Sequence, residues 1–286
     1  MIRRPPRSTQ GVSSAASDVY KRQKYIHIKQ IGNGGTGIVN LALDTHTGFP
    51  VAIKSLFESH FKNNPEILKR FKIEANIYLM LSHPNIVKLK DLILKDGAHL
   101  VMEYIEGMTL EKYINSVTGP IPSEVAIAMI KEIASAIGYA HHKEIPIPGY
   151  NGVLHLDIKP SNTLISNSGK VMVIDYGISQ GTNEDRMQQI VGSLMYMAPE
   201  QLKEGITLDH RTDIYSLGVL LHQMLTGSTP YSSKNTKDEI IEKIQNDPLE
   251  RLINIYPHVD TRLQKIIDTA TSVSYTHLTL PTILLV

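Results

Sequence analysis

Four glycines within six residues, Gly32, Gly34, Gly35 and Gly37, three of them in the spacing Gly32-x-Gly34-x-x-Gly37, allow backbone N–H groups to approach phosphate oxygens that a side chain would keep at a distance. Lys54 follows as a compact cation suited to the charge of a triphosphate, and Glu74 is a carboxylate able to hold that lysine in place. Further along, Asp157 can accept or orient the proton of an attacking hydroxyl, and Lys159 can neutralise charge on a transferring phosphoryl group. Asn162 and Asp175 carry the hard oxygen atoms that Mg2+ prefers. Each feature also has a plainer reading: the glycines as a hairpin turn without a ligand, Lys54 as a surface lysine, Asp157 and Lys159 as solvated loop charges. The glycine spacing alone is weak, because dinucleotide-binding folds use it to open a helix onto a pyrophosphate. Here a strand-like segment follows, which argues against that fold.

The elements that must position these residues are legible as periodicities. Tyr25, His27 and Lys29 alternate with Ile26, Ile28 and Gln30, and Val39, Leu41 and Leu43 resume period two as far as a turn at Thr45-His46-Thr47-Gly48. The glycines therefore sit in a hairpin between antiparallel strands, with Val51-Ala52-Ile53-Lys54 as the next strand. Leu68, Phe71, Ala75, Tyr78 and Leu79 predict a helix over Pro65 to Leu81, and strands near Val87 to Leu94 and Ala98 to Tyr104 complete a small sheet. After Gly107 the pattern turns helical. Ser123 is placed to cap a helix reaching about His142, with Val125, Ile130, Ile133 and Ile137 on or near one face; further helices cover Asp213 to Leu225, Lys237 to Asn246 and Asp260 to Thr269.

The 286 residues hold no Cys and no Trp, so a disulfide scaffold, a thiolate zinc site and a cysteine nucleophile are excluded, and a reducing compartment fits. With 29 Lys plus Arg against 28 Asp plus Glu, neither sign of charge argues for a nucleic-acid or membrane-surface partner. No apolar run reaches the ~18 residues of a membrane span. The first 23 residues nevertheless carry +4, and lack the apolar stretch of a secretory signal. Their last six, Asp18 to Gln23, permit the codons GATGTGTATAAGAGACAG, whose reverse complement encodes the Val273-Ser274-Tyr275-Thr276-His277 found near the other end. Both ends, 1–23 and 271–286, thus resemble translated adapter DNA rather than parts of the fold.

Taken in order, the glycine segment, Lys54, Glu74, His155-Leu156-Asp157-Ile158-Lys159-Pro160-Ser161-Asn162, Asp175-Tyr176-Gly177 and Ala198-Pro199-Glu200 resemble the protein kinase family over Lys24 to Ala270. Arg70-Phe71-Lys72-Ile73-Glu74-Ala75 and Val101-Met102-Glu103-Tyr104-Ile105-Glu106-Gly107 narrow the likeness to bacterial, eukaryotic-like Ser/Thr kinases. The resemblance implies an α+β, two-lobed fold: a mainly antiparallel β N-lobe with one regulatory helix over 24–104, and a mainly α C-lobe over 105–270. It implies ATP and Mg2+ as cofactors. Ile31, Gly32, Gly34, Gly35, Thr36 and Gly37 then cover the nucleotide, Lys54 paired with Glu74 holds its phosphates, and Val39, Ala52 and Leu164 form an apolar slot for adenine. Met102 stands behind that slot, the backbone from Glu103 to Ile105 reads the adenine edge, Asn162 and Asp175 hold the metal, and Asp157 and Lys159 act in catalysis. His155 is expected to be structural, packing and hydrogen-bonding behind its loop, with Tyr78 stacked toward Tyr176 and His155. Lys159 at its place in the loop points to Ser/Thr rather than Tyr as acceptor. The implied partner is a protein bearing Ser or Thr, not a nucleic acid or a membrane, and the implied setting is the cytoplasm, alone or as the intracellular part of a longer anchored protein. A nucleotide-responsive scaffold and a small-molecule phosphotransferase are the competing functions.

Four departures from the family pattern matter. Leu156 replaces a common arginine that binds a phosphate on the activation segment, so activity is expected not to require that phosphate. Tyr176 replaces phenylalanine, adding a hydroxyl to the ring. Ile145 to Tyr150 lengthens the connection before Val153, as a surface excursion. The arginine-bearing helix that pairs with the Glu200 position has no counterpart, so Glu200 is expected to lack its partner at a cost of about 3 kcal/mol if buried.

Overall fold

The computed structural model describes residues 24–34, 37–57, 65–95, 97–116, 120–146, 152–176, 193–203, 205–231, 235–255 and 259–272. Gly35, Thr36, positions 147–150 of the excursion before Val153, Gly177 and, apart from Thr271 and Ser272, both adapter-like ends lie outside these residues. The chain forms two compact units, one from the described residues before Asn64 together with Leu89–Tyr104, the other from those of Asn64–Lys88 and from Ile105 onward.

The first unit is an antiparallel sheet of β1 (Tyr25–Gly34), β2 (Gly37–Asp44), β3 (Pro50–Leu56), β4 (Leu89–Ile93) and β5 (His99–Glu103), in the order β1-β2-β3-β5-β4. Alternation along β3 sends Val51 and Ile53 to one face, where they pack with Tyr25, Ala42 and Val101. The cross-strand pairs Gly32↔Val39, Val39↔Lys54, Leu41↔Ala52 and Ala52↔Met102 put Gly32, Val39, Lys54, Ala52 and Met102 together on the other face. At the β2–β3 turn Gly48 takes φ 72°, and the Asp44 carboxylate accepts the His46 N–H at 2.9 Å.

The second unit holds α1 (Pro65–Leu79), α2 (Leu110–Ser116), α3 (Ser123–His141), α4 (His210–Thr226), α5 (Lys237–Asn246), α6 (Leu252–Ile255) and α7 (Thr261–Ala270), with a three-stranded sheet of β6 (Gly107–Thr109), β7 (Thr163–Ser166) and β8 (Val171–Val173). Its centre is α4, in which 14 of 17 residues are buried. The Asp209 side chain caps that helix by accepting from the Arg211 N–H, and Gly227 ends it at φ 75°. Gly218 lies where α4 meets α7, since a Cβ there would stand 2.8 Å from the Ala270 Cβ.

Several expectations need correcting. Helix α1 stops at Leu79, whose side chain is 38% exposed, and Ile77 at 4% takes the inner position instead. Pro122, not Ser123, is the N-cap of α3, with no side-chain hydrogen bond. Val125 on that helix is exposed, and Ala126, Met129, Ile133 and Ala140 make its inner stripe. The strands β6 to β8 carry no sequence signal, because three or four residues are too few to display a period. Among the described residues no helix is long and apolar enough to cross a membrane.

Candidate active site

In the first unit the glycine-rich hairpin forms as the sequence predicts, β1 and β2 closing through the pair Gly34↔Gly37. Gly37 is sterically required, because a Cβ on it would sit 2.2 Å from the Ser55 carbonyl oxygen, whereas one on Gly32 would make ordinary contact with Val39 at 3.5 Å. Lys54 is a buried lysine, 7% exposed, in the centre of β3. That observation displaces the surface-lysine reading, since a buried ammonium needs polar company. Ala52 and Met102 are buried beside it on the same face, and Val39 and Glu103 are half-buried. Ile31 on β1 is 37% exposed.

The second unit carries the remaining candidates. Glu74 is half-buried on α1, Ile105 precedes β6, and Leu164 lies on β7 between Thr109 and the buried Met172. Asp157, Lys159 and Asn162 form one connected group. The Asp157 Oδ2 takes hydrogen bonds of 2.8 Å from both the Lys159 ammonium and the Asn162 Nδ2. Lys159 also donates to the Ser193 hydroxyl at 2.6 Å, and the Asn162 amide makes a further bond of 2.8 Å to the Asp157 carbonyl. Both of these bonds to the Asp157 carboxylate fall on one oxygen, so among the described residues Oδ1 is left for a further donor, and the side chain is 34% exposed.

The same bonds decide whether this unit suits a divalent cation. With Nδ2 of Asn162 committed to Asp157, its Oδ1 is the atom turned to a ligand. The Asn162 carbonyl accepts the Ile174 N–H at 3.0 Å, which places Asp175 one residue along from that bond. An amide oxygen and a carboxylate are the hard donors Mg2+ takes when phosphates and water complete its shell. Among the described residues no group of three or more His, Cys, Asp or Glu side chains could hold a metal independently. The amide oxygen and carboxylate are of the donor type that fits a hard divalent cation which brings its other ligands with it.

Residues not singled out from the sequence hold this loop. Asp213, fully buried at the start of α4, accepts the N–H of His155 at 2.8 Å, the N–H of Leu156 at 2.7 Å and Nε2 of His141 at 2.7 Å. Leu156 and Asp175 are the two non-glycine residues with positive φ, 60° and 62°, among the described residues. Each such conformation costs about 1–2 kcal/mol and persists only where surrounding bonds fix it. No spacing signal singles out Asp213, because the same helix also carries Arg211, Thr212, Ser216, His222 and Gln223.

His155 plays the structural part expected of it. It is fully buried; its Nδ1 accepts the Asp157 N–H at 3.3 Å, so Nε2 carries the proton and donates to the Ile174 carbonyl at 2.9 Å. It thus links the backbone at Asp157 to the residue before Asp175. The Tyr176 ring lies 4.7 Å from His155 and 5.7 Å from Tyr78, as the sequence predicts. The added Tyr176 hydroxyl donates to the Ala136 carbonyl at 3.2 Å, and burial pushes its phenol well above the ordinary range, keeping it a donor. Tyr78 is tied in the same way, donating to the Val87 carbonyl at 2.6 Å. Glu200 corrects an expectation: it is buried, but Thr212 Oγ1 donates to its carboxylate at 2.8 Å, so it is not left without a partner.

Comparison with known proteins identifies the family and the fold. A family model described as protein kinase domain matches residues 25–280. The probable serine/threonine-protein kinase PknB of Lactococcus lactis subsp. lactis is 34% identical over 253 residues, 87% of this chain and 39% of that protein. Serine/threonine-protein kinase PrkC of Bacillus subtilis is 35% identical over 254 residues, 87% of this chain and 37% of its own length. The chain thus spans under two fifths of these two relatives. A crystal structure of the PknI kinase domain of Mycobacterium tuberculosis superposes with a TM-score of 0.71 at 22% identity, covering 91% of this chain and 93% of that one, which shows the same α+β fold.

Proposed function

The chain belongs to the protein kinase domain family, and from that premise we propose that it transfers the γ-phosphate of ATP to Ser or Thr hydroxyls of protein substrates. The observation that carries the proposal is the Asp157 carboxylate, fixed on one oxygen by Lys159 and Asn162 at 2.8 Å each and open on the other. In this reading Asp157 Oδ1 accepts the hydroxyl hydrogen bond and aims the oxygen at the γ-phosphorus, while Lys159 balances charge on the phosphoryl group in transit. Lys54, positioned with Glu74, and the backbone of Gly32, Gly34, Gly35, Thr36 and Gly37 hold the phosphates; Ile31, Val39, Ala52, Met102, Leu164 and the segment from Glu103 to Ile105 receive the adenosine. Asn162 and Asp175 hold Mg2+, which supplies charge neutralisation at the phosphates when bound. Positioning and electrostatic stabilisation account for the catalysis. The setting proposed is the cytoplasm, where ATP is supplied.

We further propose that activity needs no phosphate on the activation segment. Leu156 offers no cation to receive one, and its backbone is held by Asp213 and Gln201 instead. Phosphoamino-acid analysis of a Ser/Thr-rich acceptor incubated with the chain and MgATP tests the first claim. Phosphoserine or phosphothreonine supports it; bound ATP with no transfer supports a scaffold, and phosphate on a small molecule alone supports the third function. Phosphatase treatment of the chain tests the second, and a loss of activity above about tenfold contradicts it. Ser193→Ala is the poorer probe, because its hydroxyl contacts Lys159 directly.

A further inference from the structure

Gln201, the residue after Ala198-Pro199-Glu200, reaches back to the catalytic loop. Its Oε1 accepts the Ala198 N–H at 2.9 Å, and its Nε2 donates to the Leu156 carbonyl at 3.1 Å. That carbonyl belongs to the same peptide plane as the Asp157 N–H, which His155 Nδ1 accepts at 3.3 Å. The Leu156–Asp157 plane is therefore gripped at both of its polar ends, by Gln201 on the oxygen and His155 on the nitrogen. The plane follows a leucine at φ 60°, a conformation its Cβ disfavours. Released from Gln201, Leu156 gains by rotating to negative φ, and that rotation turns the plane from which the Asp157 side chain projects.

Resting on the kinase function above, we propose that Gln201 is a positioning residue for phosphoryl transfer: it holds the Leu156–Asp157 peptide in the orientation that presents the Asp157 carboxylate to the acceptor hydroxyl. The same amide joins the catalytic loop to the segment at Ala198 through neutral groups, a connection that needs neither a cation at position 156 nor a phosphate.

The test is a double-mutant cycle on the full chain, reading kcat and KM for MgATP with a Ser/Thr-rich acceptor. Gln201→Glu retains an acceptor for the Ala198 N–H but sets an oxygen against the Leu156 carbonyl. It is expected to lower kcat about tenfold or more while leaving KM for MgATP within about twofold. In a Leu156→Gly background, where positive φ carries no steric penalty, the same change is expected to lower kcat less than about threefold. Wild-type kcat in Gln201→Glu, or an equal loss in both backgrounds, overturns the assignment, because a merely structural contact gives an effect independent of the residue at 156. If the glutamate variant does not fold, Gln201→Met, which removes both bonds without adding charge, replaces it in the cycle with the same two outcomes. A wild-type chain that transfers no phosphate overturns the kinase function, and this assignment with it; an active wild type indifferent to Gln201 overturns this assignment alone.

Discussion

Replacing Asp213 by asparagine should destabilise the second unit and slow the reaction together. The carboxylate is fully buried and accepts three hydrogen bonds, two on Oδ2 from His155 N–H and His141 Nε2, one on Oδ1 from Leu156 N–H. Asparagine keeps one oxygen, which settles where two donors converge, and its NH2 then faces the Leu156 N–H. One hydrogen bond to a charged acceptor is lost, about 1.5–3 kcal/mol, and a buried donor is orphaned at a further ~1–3 kcal/mol. The sum, about 2.5–6 kcal/mol, brackets the ~3–5 kcal/mol seen when a buried charged network is broken from one side. At roughly 2–4 °C per kcal/mol for a domain of this size, the melting temperature should fall by about 10 °C. Since the orphaned N–H is that of the residue before Asp157, kcat should fall as well. Thermal unfolding followed by far-UV circular dichroism, with kcat measured well below the transition, reads both. A melting temperature within about 2 °C of wild type would refute the assignment of Asp213 as the anchor of the loop.

Two further predictions address packing and pH. Gly218→Ala places a Cβ 2.8 Å from the Ala270 Cβ and 2.9 Å from the Thr271 Cγ2, so overpacking of about 1–3 kcal/mol should exceed the ~1 kcal/mol gained in helix propensity, and urea unfolding should show net destabilisation; a more stable variant contradicts the packing of α4 on α7. His222 is buried, donates from Nε2 to the Glu250 carbonyl at 2.9 Å, and among the described residues has no partner for Nδ1, so burial holds its imidazole below the ordinary 6.5. The unfolded chain then binds a proton that the folded chain refuses; the stability this represents is complete above pH 6.5 and declines as the pH falls below it. His222→Gln should flatten that acid decline in urea midpoints, and an unchanged slope contradicts it.

The parts of the fold legible in the sequence are those whose cause is local. Helix α5 runs over the predicted Lys237–Asn246 because Thr236 and Glu239 form a reciprocal cap at its start and Ile240 and Ile244 face inward one turn apart. The glycine hairpin is equally local, with Gly37 demanded by the Ser55 backbone across the ladder. The loop residues Asp157, Lys159 and Asn162 lie within six positions of one another, and their connected hydrogen bonds follow from that proximity. What supports them is remote in the chain. Asp213 reaches His155 across 58 residues and His141 across 72, and Gln201 reaches Leu156 across 45, so no periodicity or motif displays those bonds. The expectation of an orphaned Glu200 failed for the same reason: it considered a missing helix and not the hydroxyl of Thr212, twelve residues away on α4. Leu79 was placed inward by spacing alone, but the face α1 buries is set by its neighbours, which accept Phe71, Ala75, Ile77 and Tyr78.

The most direct test of the central claim compares the full chain with Asp157→Asn, after both are shown to be folded and to bind MgATP equally, by mass-spectrometric detection of phosphate on a Ser/Thr-rich protein. Phosphoserine or phosphothreonine formed by the wild type, and reduced by at least about a hundredfold in the variant, is the predicted result. Equal transfer by both proteins, or none by a folded wild type that binds MgATP, would contradict the account.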